Sequence, residues 1–168
     1  MGKNIDLALI NPGDRRQIYQ DLGNDYSAIE PPFWIAVIAA YLRSKGLKVH
    51  IIDANALNLS PKATASEISN LNPLLSAVIV YGSQPSASTQ NMTMAGEICK
   101  ALKELTDVPV AIGGLHPSAL PVRTLSEESV DFVIEGEGPY SLESLIYVLK
   151  SRVPDYSRVP GLWYFKES

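Results

Sequence analysis

The stretch VPVAIGGLHPSALP, Val108 to Pro121, decides the reading of the fold. An apolar run stops abruptly at Gly113-Gly114, and a histidine and a proline follow within three residues. A short, continuously apolar run bounded by turn residues reads as a strand covered on both faces, the kind found in a parallel sheet. Four further runs look alike: IDLALI (Ile5–Ile10), KVHIID (Lys48–Asp53), AVIVYG (Ala77–Gly82) and DFVIEG (Asp131–Gly136). Helical patterns lie between them. Phe33 to Lys45 is apolar nearly all round until Arg43, and Gly46 supplies the stop. Thr64-Ala65-Ser66-Glu67 has capping-box spacing before Ile68 and Leu71. Gln90 to Leu105 sets Met94, Ile98, Ala101 and Leu105 on one face. Pro139 opens a last helix to Lys150, with Leu142, Leu145, Ile146 and Leu149 inward. The connection from Ser118 to Ser129 reads as mostly loop with one turn of helix. This alternation predicts a flavodoxin-like (Rossmann-like) α/β fold. It is a doubly wound five-stranded parallel sheet of order 2-1-3-4-5 with helices on both faces.

Bulk properties narrow the class. A chain of 168 residues, 46% hydrophobic, suits one domain with a real core. A net charge of −4 and no run of Lys and Arg argue against a nucleic-acid partner. The single cysteine, Cys99, makes neither an internal disulfide nor a cysteine zinc site, and its helical setting reads as a small apolar position. The longest apolar stretch, Phe33 to Leu42, is half of the roughly 20 residues a membrane span needs. The start MGKNIDLALINPGD reads as strand and loop rather than a signal peptide. A cytoplasmic domain with no membrane partner is the expectation. From Ser151 the pattern changes: two prolines precede an apolar LWYF. Residues 1–152 are therefore read as one domain. Residues 153–168 are read as a linker and the first strand toward a further, absent domain, which makes the chain a fragment of a longer protein.

The unusual residues fall at the strand ends, where open parallel sheets bind ligands. Asn11-Pro12-Gly13 follows strand one, and GSQPSAS (Gly82–Ser88) follows strand three. GGLHPS follows strand four and EGEG (Glu135–Gly138) strand five. Small residues at neighbouring strand ends predict a ligand trough, because a missing Cβ lets another group approach the backbone. Some twenty residues separate Ile10 from Phe33, with Arg15, Arg16, Tyr19 and Tyr26 among them. So long a connection is expected to fold over the ligand. Other chemistries lose their support. No GxGxxG follows strand one, and there is no P-loop and no nucleophile elbow. Strand three ends in Tyr81-Gly82, without the aspartate of response-regulator chemistry. His50 reads as a packed or edge histidine, whereas His116 stands at the cleft edge. Glu135 and Glu137 suit a helix N-terminus better than paired acid–base work.

Together AIGGLHPSALP and VDFVIEGEGPYSLESL resemble the N-terminal cobalamin-binding domain of cobalamin-dependent radical S-adenosylmethionine enzymes. EPPFWIAVIAAYLRSKGLKVHIIDA is similar to that family's first helix and second strand, and VPGLWYF to its PGLVYR segment. The resemblance covers almost the whole chain. It implies a corrinoid whose nucleotide tail extends into a slot between sheet and helix. It implies cofactor contacts at Asn11, Pro12, Gly82, Ser83, Gln84, Gly113, Gly114, His116, Glu135, Gly136, Glu137 and Gly138. The DxHxxG motif of the methionine-synthase-like branch is missing, since NPGDRRQIYQDLG contains no histidine. That implies cobalamin held base-off with no protein ligand to cobalt. The CxxxCxxC motif of the radical domain is missing too, so S-adenosylmethionine and the iron–sulfur cluster belong to the absent C-terminal domain.

The expected role is thus a cobalamin-binding module that is not catalytic alone. Its partner is its own radical domain, in a methyltransferase or an oxidative cyclase. Two other readings stay open. One is a degenerate domain that has lost cobalamin and serves as a docking scaffold, with LWYF against a partner. The other is a flavodoxin-like flavin or nucleotide module, weakened because Pro12 removes a backbone donor from the first phosphate-facing loop.

Overall fold

A computed structural model of the chain describes residues 4–13, 31–81, 85–136 and 138–166. Six strands form one sheet: β1 (Leu7–Asn11), β2 (Val49–Asp53), β3 (Leu75–Val80), β4 (Val110–Gly114), β5 (Phe132–Ile134) and β6 (Leu162–Trp163). Their order is β2-β1-β3-β4-β5-β6. The first five are parallel, with Leu9 opposite Ile51 and Ala77, and Ala77 opposite Ala111. The expected 2-1-3-4-5 order is therefore found, and an antiparallel edge strand, β6, is added beside β5.

Helices cover both faces because the central strands β1, β3, β4 and β5 are buried and mostly apolar in both directions. Leu7, Leu9, Leu75, Ala77, Ile79, Phe132 and Ile134 meet α1 (Phe33–Ser44) and α6 (Gly138–Lys150). Ala8, Ile10, Val78, Val80, Val110, Ile112 and Val133 meet α2 (Pro61–Leu71), α3 (Pro85–Leu105) and α5 (Pro121–Glu127). A short α4 (Leu115–Ala119) links β4 to α5. Each fully buried Leu or Ile here contributes about 1.5–3 kcal/mol relative to exposure. Large side chains such as Leu9, Leu42, Ile98 and Leu145 are less than 2% exposed.

Local signals set the helix ends. Gly46 takes φ +80, and Gly46 N–H and Leu47 N–H donate to the carbonyls of Arg43 and Leu42, at 3.0 and 3.2 Å. This is a Schellman stop, with Leu47 tucked against the core. The start of α2 is Ser60, whose Oγ accepts from Ala63 N–H at 3.2 Å with Pro61 at the first helical position. Thr64, expected as the cap, lies one turn inside and donates its hydroxyl to the Ser60 carbonyl. Two further expectations are corrected. The 115–127 connection is helical for most of its length, because Pro117 and Pro121 fall in first turns, where the missing N–H costs nothing. Helix α3 begins at Pro85 rather than Gln90, and its inward seam is Met94, Ala95, Ile98, Cys99 and Leu102, while Leu105 is exposed.

Residues 153–166 pack back on the same sheet. Val159 is buried, and Tyr156, Leu162 and Tyr164 join the core beside α6. Phe132, Tyr156 and Tyr164 form a run of tilted rings with centroids 5.2 and 5.3 Å apart. Of the apolar LWYF, Leu162 and Tyr164 turn inward while Trp163 and Phe165 face out.

Candidate functional site

Side-chain hydrogen bonds brace the carboxyl ends of the strands in two groups, β1 with β2 and β3 to β5 through α3 and α4. At the β1–β2 end, Asn11 Nδ2 donates to Asp53 Oδ1 at 2.9 Å, and the same oxygen accepts from Ala56 N–H. Pro12 and Gly13 follow, buried beneath this bracket, and a Cβ on Gly13 would overlap the Asn55 side chain.

The β3–β4 end is organised by Ser88, which is fully buried in the first turns of α3. Its Oγ donates to the Val80 carbonyl at 2.7 Å and accepts from His116 N–H at 3.2 Å. Thr89 Oγ1 lies 3.0 Å from His116 Nδ1, so the ring is braced against α3 as well. Asn91 Nδ2 donates to the Tyr81 carbonyl at 3.0 Å. His116 therefore has a structural tether at its backbone and at one ring nitrogen. The glycines before it have different reasons. Gly114 has φ +131, and a Cβ there would collide with the Val80 carbonyl oxygen of the neighbouring strand. Close packing of β3 on β4 and a backbone conformation disfavoured for L side chains account for it. A Cβ on Gly113 would make ordinary contact with Ile134, at 3.5 Å.

At the β5 end, Gly136 turns with φ +83, and a Cβ there would meet nothing within 4 Å. Ser118 Oγ accepts from Gly136 N–H at 3.1 Å, tying this turn to α4. Glu135 Oε2 accepts from Trp163 Nε1 at 2.6 Å. Gly138 opens α6 with Ile38 as its nearest packing neighbour. Gly82, Ser83, Gln84 and Glu137, expected in the site, lie outside the described residues, as do Arg15, Arg16, Tyr19 and Tyr26.

An aromatic rim borders these ends. Trp34 stacks on Tyr81 with centroids 5.7 Å apart and planes 29° apart, and Phe33 meets Trp34 edge-on at 5.4 Å. Phe33 and Trp34 are 66% and 54% exposed, and Leu115, just past Gly114, is exposed too. On α1 the outward positions Phe33, Trp34, Ala36, Val37 and Ala40 are all apolar. Read from the sequence, Phe33 and Trp34 belong to the helix core pattern; only the tertiary position of Tyr81 brings them to the site. No cluster of three metal-ligating side chains occurs among the described residues. His50 stands exposed on edge strand β2, beside a shallow concavity at the amino ends of the strands lined by Asn4, Arg43 and Lys48. Among the described residues no helix is long and apolar enough to cross a membrane.

An open sheet of order β2-β1-β3-β4-β5 with helices on both faces defines a doubly wound α/β domain, a class in which ligands bind beyond the carboxyl ends of the strands. More narrowly, the chain belongs to the B12 binding domain family, whose model matches residues 19–146. A curated relative is the anaerobic magnesium-protoporphyrin IX monomethyl ester cyclase of Rubrivivax gelatinosus, 26% identical over 131 residues. The match takes in 76% of this chain and 22% of that protein. Among solved structures, the radical S-adenosylmethionine methyltransferase TsrM of Kitasatospora setae, with cobalamin and a [4Fe-4S] cluster bound, superposes with a TM-score of 0.76 at 21% identity. That match covers 99% of this chain and 30% of the other. The cobalamin-dependent S-adenosylmethionine radical enzyme OxsB, with aqua-cobalamin and S-adenosylmethionine bound, gives 0.69 at 18% identity, covering 98% and 21%. The chain thus spans under a third of the length of these relatives.

Proposed function

We propose that this chain is the cobalamin-holding domain of a longer radical S-adenosylmethionine enzyme, a methyltransferase or an oxidative cyclase. We further propose that it holds the corrinoid base-off, with no histidine on cobalt. The observation that carries the reading is the family match across residues 19–146. The named relatives support the radical-enzyme context, and the single cysteine leaves S-adenosylmethionine and its cluster to another domain. On this reading residues 153–168 are the lead toward that domain.

The described residues fit a corrin at the strand ends. A flat, methyl-rich macrocycle matches an exposed aromatic rim, and Phe33 and Trp34 offer that surface beside Tyr81 at the end of β3. Cobalamin, when bound, supplies methyl-transfer or electron-transfer chemistry at cobalt. The chain's own residues bind and orient. Phe33 and Trp34 exclude water from the ring edge. Asn11 and Asp53 hold the β1–β2 end rigid, and Ser88 fixes the start of α4. The absent ligand has its support in the connection after β1, which contains no histidine.

The test is reconstitution with hydroxocobalamin under reducing conditions, desalting, and a visible spectrum of the protein fraction. Retained corrinoid with a base-off spectrum is expected, and Trp34→Ala is expected to weaken retention without unfolding the domain. A folded protein that retains no corrinoid overturns the proposal. A nitrogen-ligated spectrum overturns its unligated part.

A further inference from the structure

The segment from Pro160 to Trp163 grips the β5–α6 turn from outside at several points. Glu135 N–H donates to the Gly161 carbonyl at 2.8 Å. Trp163 Nε1 donates to Glu135 Oε2 at 2.6 Å. Ser141, buried in the first turn of α6, donates its hydroxyl to the Pro160 carbonyl at 2.7 Å. Gly161 takes φ +64, and a Cβ there would strike the Glu135 carbonyl oxygen, so the two backbones are pressed together. Pairing continues as Ile134 opposite Leu162 and Val133 opposite Trp163. A two-residue strand is far too short to be stable by ladder bonds alone. The side-chain bonds from Glu135 and Ser141 hold it together with the core packing of Leu162 and Tyr164.

The other side of the turn is held by Ser118 at Gly136 N–H. The turn is therefore clamped between α4, which carries His116, and the 160–163 segment. We propose that Pro160–Trp163 is a strap that positions the Glu135–Gly136 turn for cofactor, with Glu135, Ser141 and Trp163 as positioning residues rather than cofactor contacts. This rests on the cobalamin reading above. It also reassigns Glu135: the carboxylate expected near the corrin is committed to the Trp163 indole. A charge-assisted bond is stronger than a neutral one, and its rigid indole donor fixes direction as well as distance.

The experiment pairs two readouts on the same variants. One is hydrogen exchange at the Glu135 and Gly136 amides of the cofactor-free protein. The other is hydroxocobalamin affinity by spectral titration. Trp163→Phe keeps the ring packing and removes the donor. Glu135→Gln keeps an acceptor oxygen, and Glu135→Leu removes it. In Trp163→Phe and Glu135→Leu, exchange at Glu135 N–H is expected to rise about tenfold, the scale of one lost hydrogen bond to a charged group. Cobalamin affinity is expected to fall several-fold while the thermal midpoint stays close to that of the parent. Glu135→Gln is expected to restore most of both. Unchanged exchange overturns the strap. Faster exchange with unchanged cobalamin affinity overturns its positioning role. If no protein in the series, the parent included, binds cobalamin while exchange rises as expected, the cobalamin reading fails, the positioning role falls with it, and the clamp itself stands.

Discussion

Replacing Gly114 by alanine separates a sheet-packing glycine from a ligand-facing one. Gly114 has φ +131, and a Cβ would enter the Val80 carbonyl oxygen of β3. Holding a non-glycine residue in so sparse a region costs about 1–3 kcal/mol. Forcing a buried methyl against backbone that cannot move aside costs about 1–3 kcal/mol more. The lower entropy of the unfolded alanine chain returns about 0.4–1 kcal/mol. The net is a loss of about 1–6 kcal/mol, set against the roughly 5–15 kcal/mol that holds a domain. Gly113→Ala is the control. Its Cβ meets Ile134 at 3.5 Å, an ordinary contact, and the expected change is within about 1 kcal/mol. Urea titration followed by circular dichroism reads both. With a slope of about 2 kcal/mol per molar, Gly114→Ala should lower the midpoint by about 0.5–3 M and Gly113→Ala by less than about 0.5 M. Equal shifts in the two variants would refute the packing argument and return Gly114 to the ligand slot.

Other perturbations have equally definite outcomes. Ser88→Ala strips the Val80 carbonyl and His116 N–H of a shared buried partner, and a loss of about 1–3 kcal/mol is expected in the same titration. Ser60→Ala removes the α2 cap and should cost about 1 kcal/mol. Burial, reinforced by Glu127, raises the Glu128 carboxyl above its ordinary range, and the group lies over Gly96 of α3. The folded state then holds its proton more tightly than the unfolded one. Its contribution is present below the ordinary carboxylate range and is lost as pH rises through the folded value. Glu128→Gln should flatten that part of a stability–pH curve. Asp6 has the opposite sign. Burial raises it, but hydrogen bonds and charge from Lys150 and Lys48 outweigh burial and lower it. Its stabilisation is present above the ordinary range and lost as pH falls through the lowered value, a slope that Asp6→Asn should remove. Burial also pushes the Cys99 thiol up, so it should resist thiol reagents until the protein is unfolded.

The sheet was legible because strands buried on both faces leave unbroken apolar runs, as β1, β3, β4 and β5 do, and the 2-1-3-4-5 order expected of this fold class is found. The apolar LWYF reads as a strand, but nothing local encodes its pairing; its place beside β5 depends on tertiary bonds from Glu135 and Ser141. Proline misled the reading of 115–127, since a proline in a first turn starts a helix as readily as it ends one. The Thr64 box was a true spacing in the wrong place, because Ser60 with Pro61 makes the earlier cap. At the site, a double glycine alone did not separate a ligand wall from a sheet contact. The Cβ direction at Gly114 assigns it to the sheet. The Trp34–Tyr81 stack joins residues 47 positions apart, and nothing local encodes it.

The most direct measurement on the cobalamin assignment is electron paramagnetic resonance of the desalted protein after loading with hydroxocobalamin reduced to the cobalt(II) form. A low-spin cobalt signal in the protein fraction with unsplit cobalt lines is expected, because no nitrogen lies on the axis. Lines split in three by one axial nitrogen would contradict the base-off, unligated site, and 15N labelling of the protein would then tell His116 from the cofactor's own base. No cobalt signal in the fraction of a folded protein would contradict cobalamin binding itself.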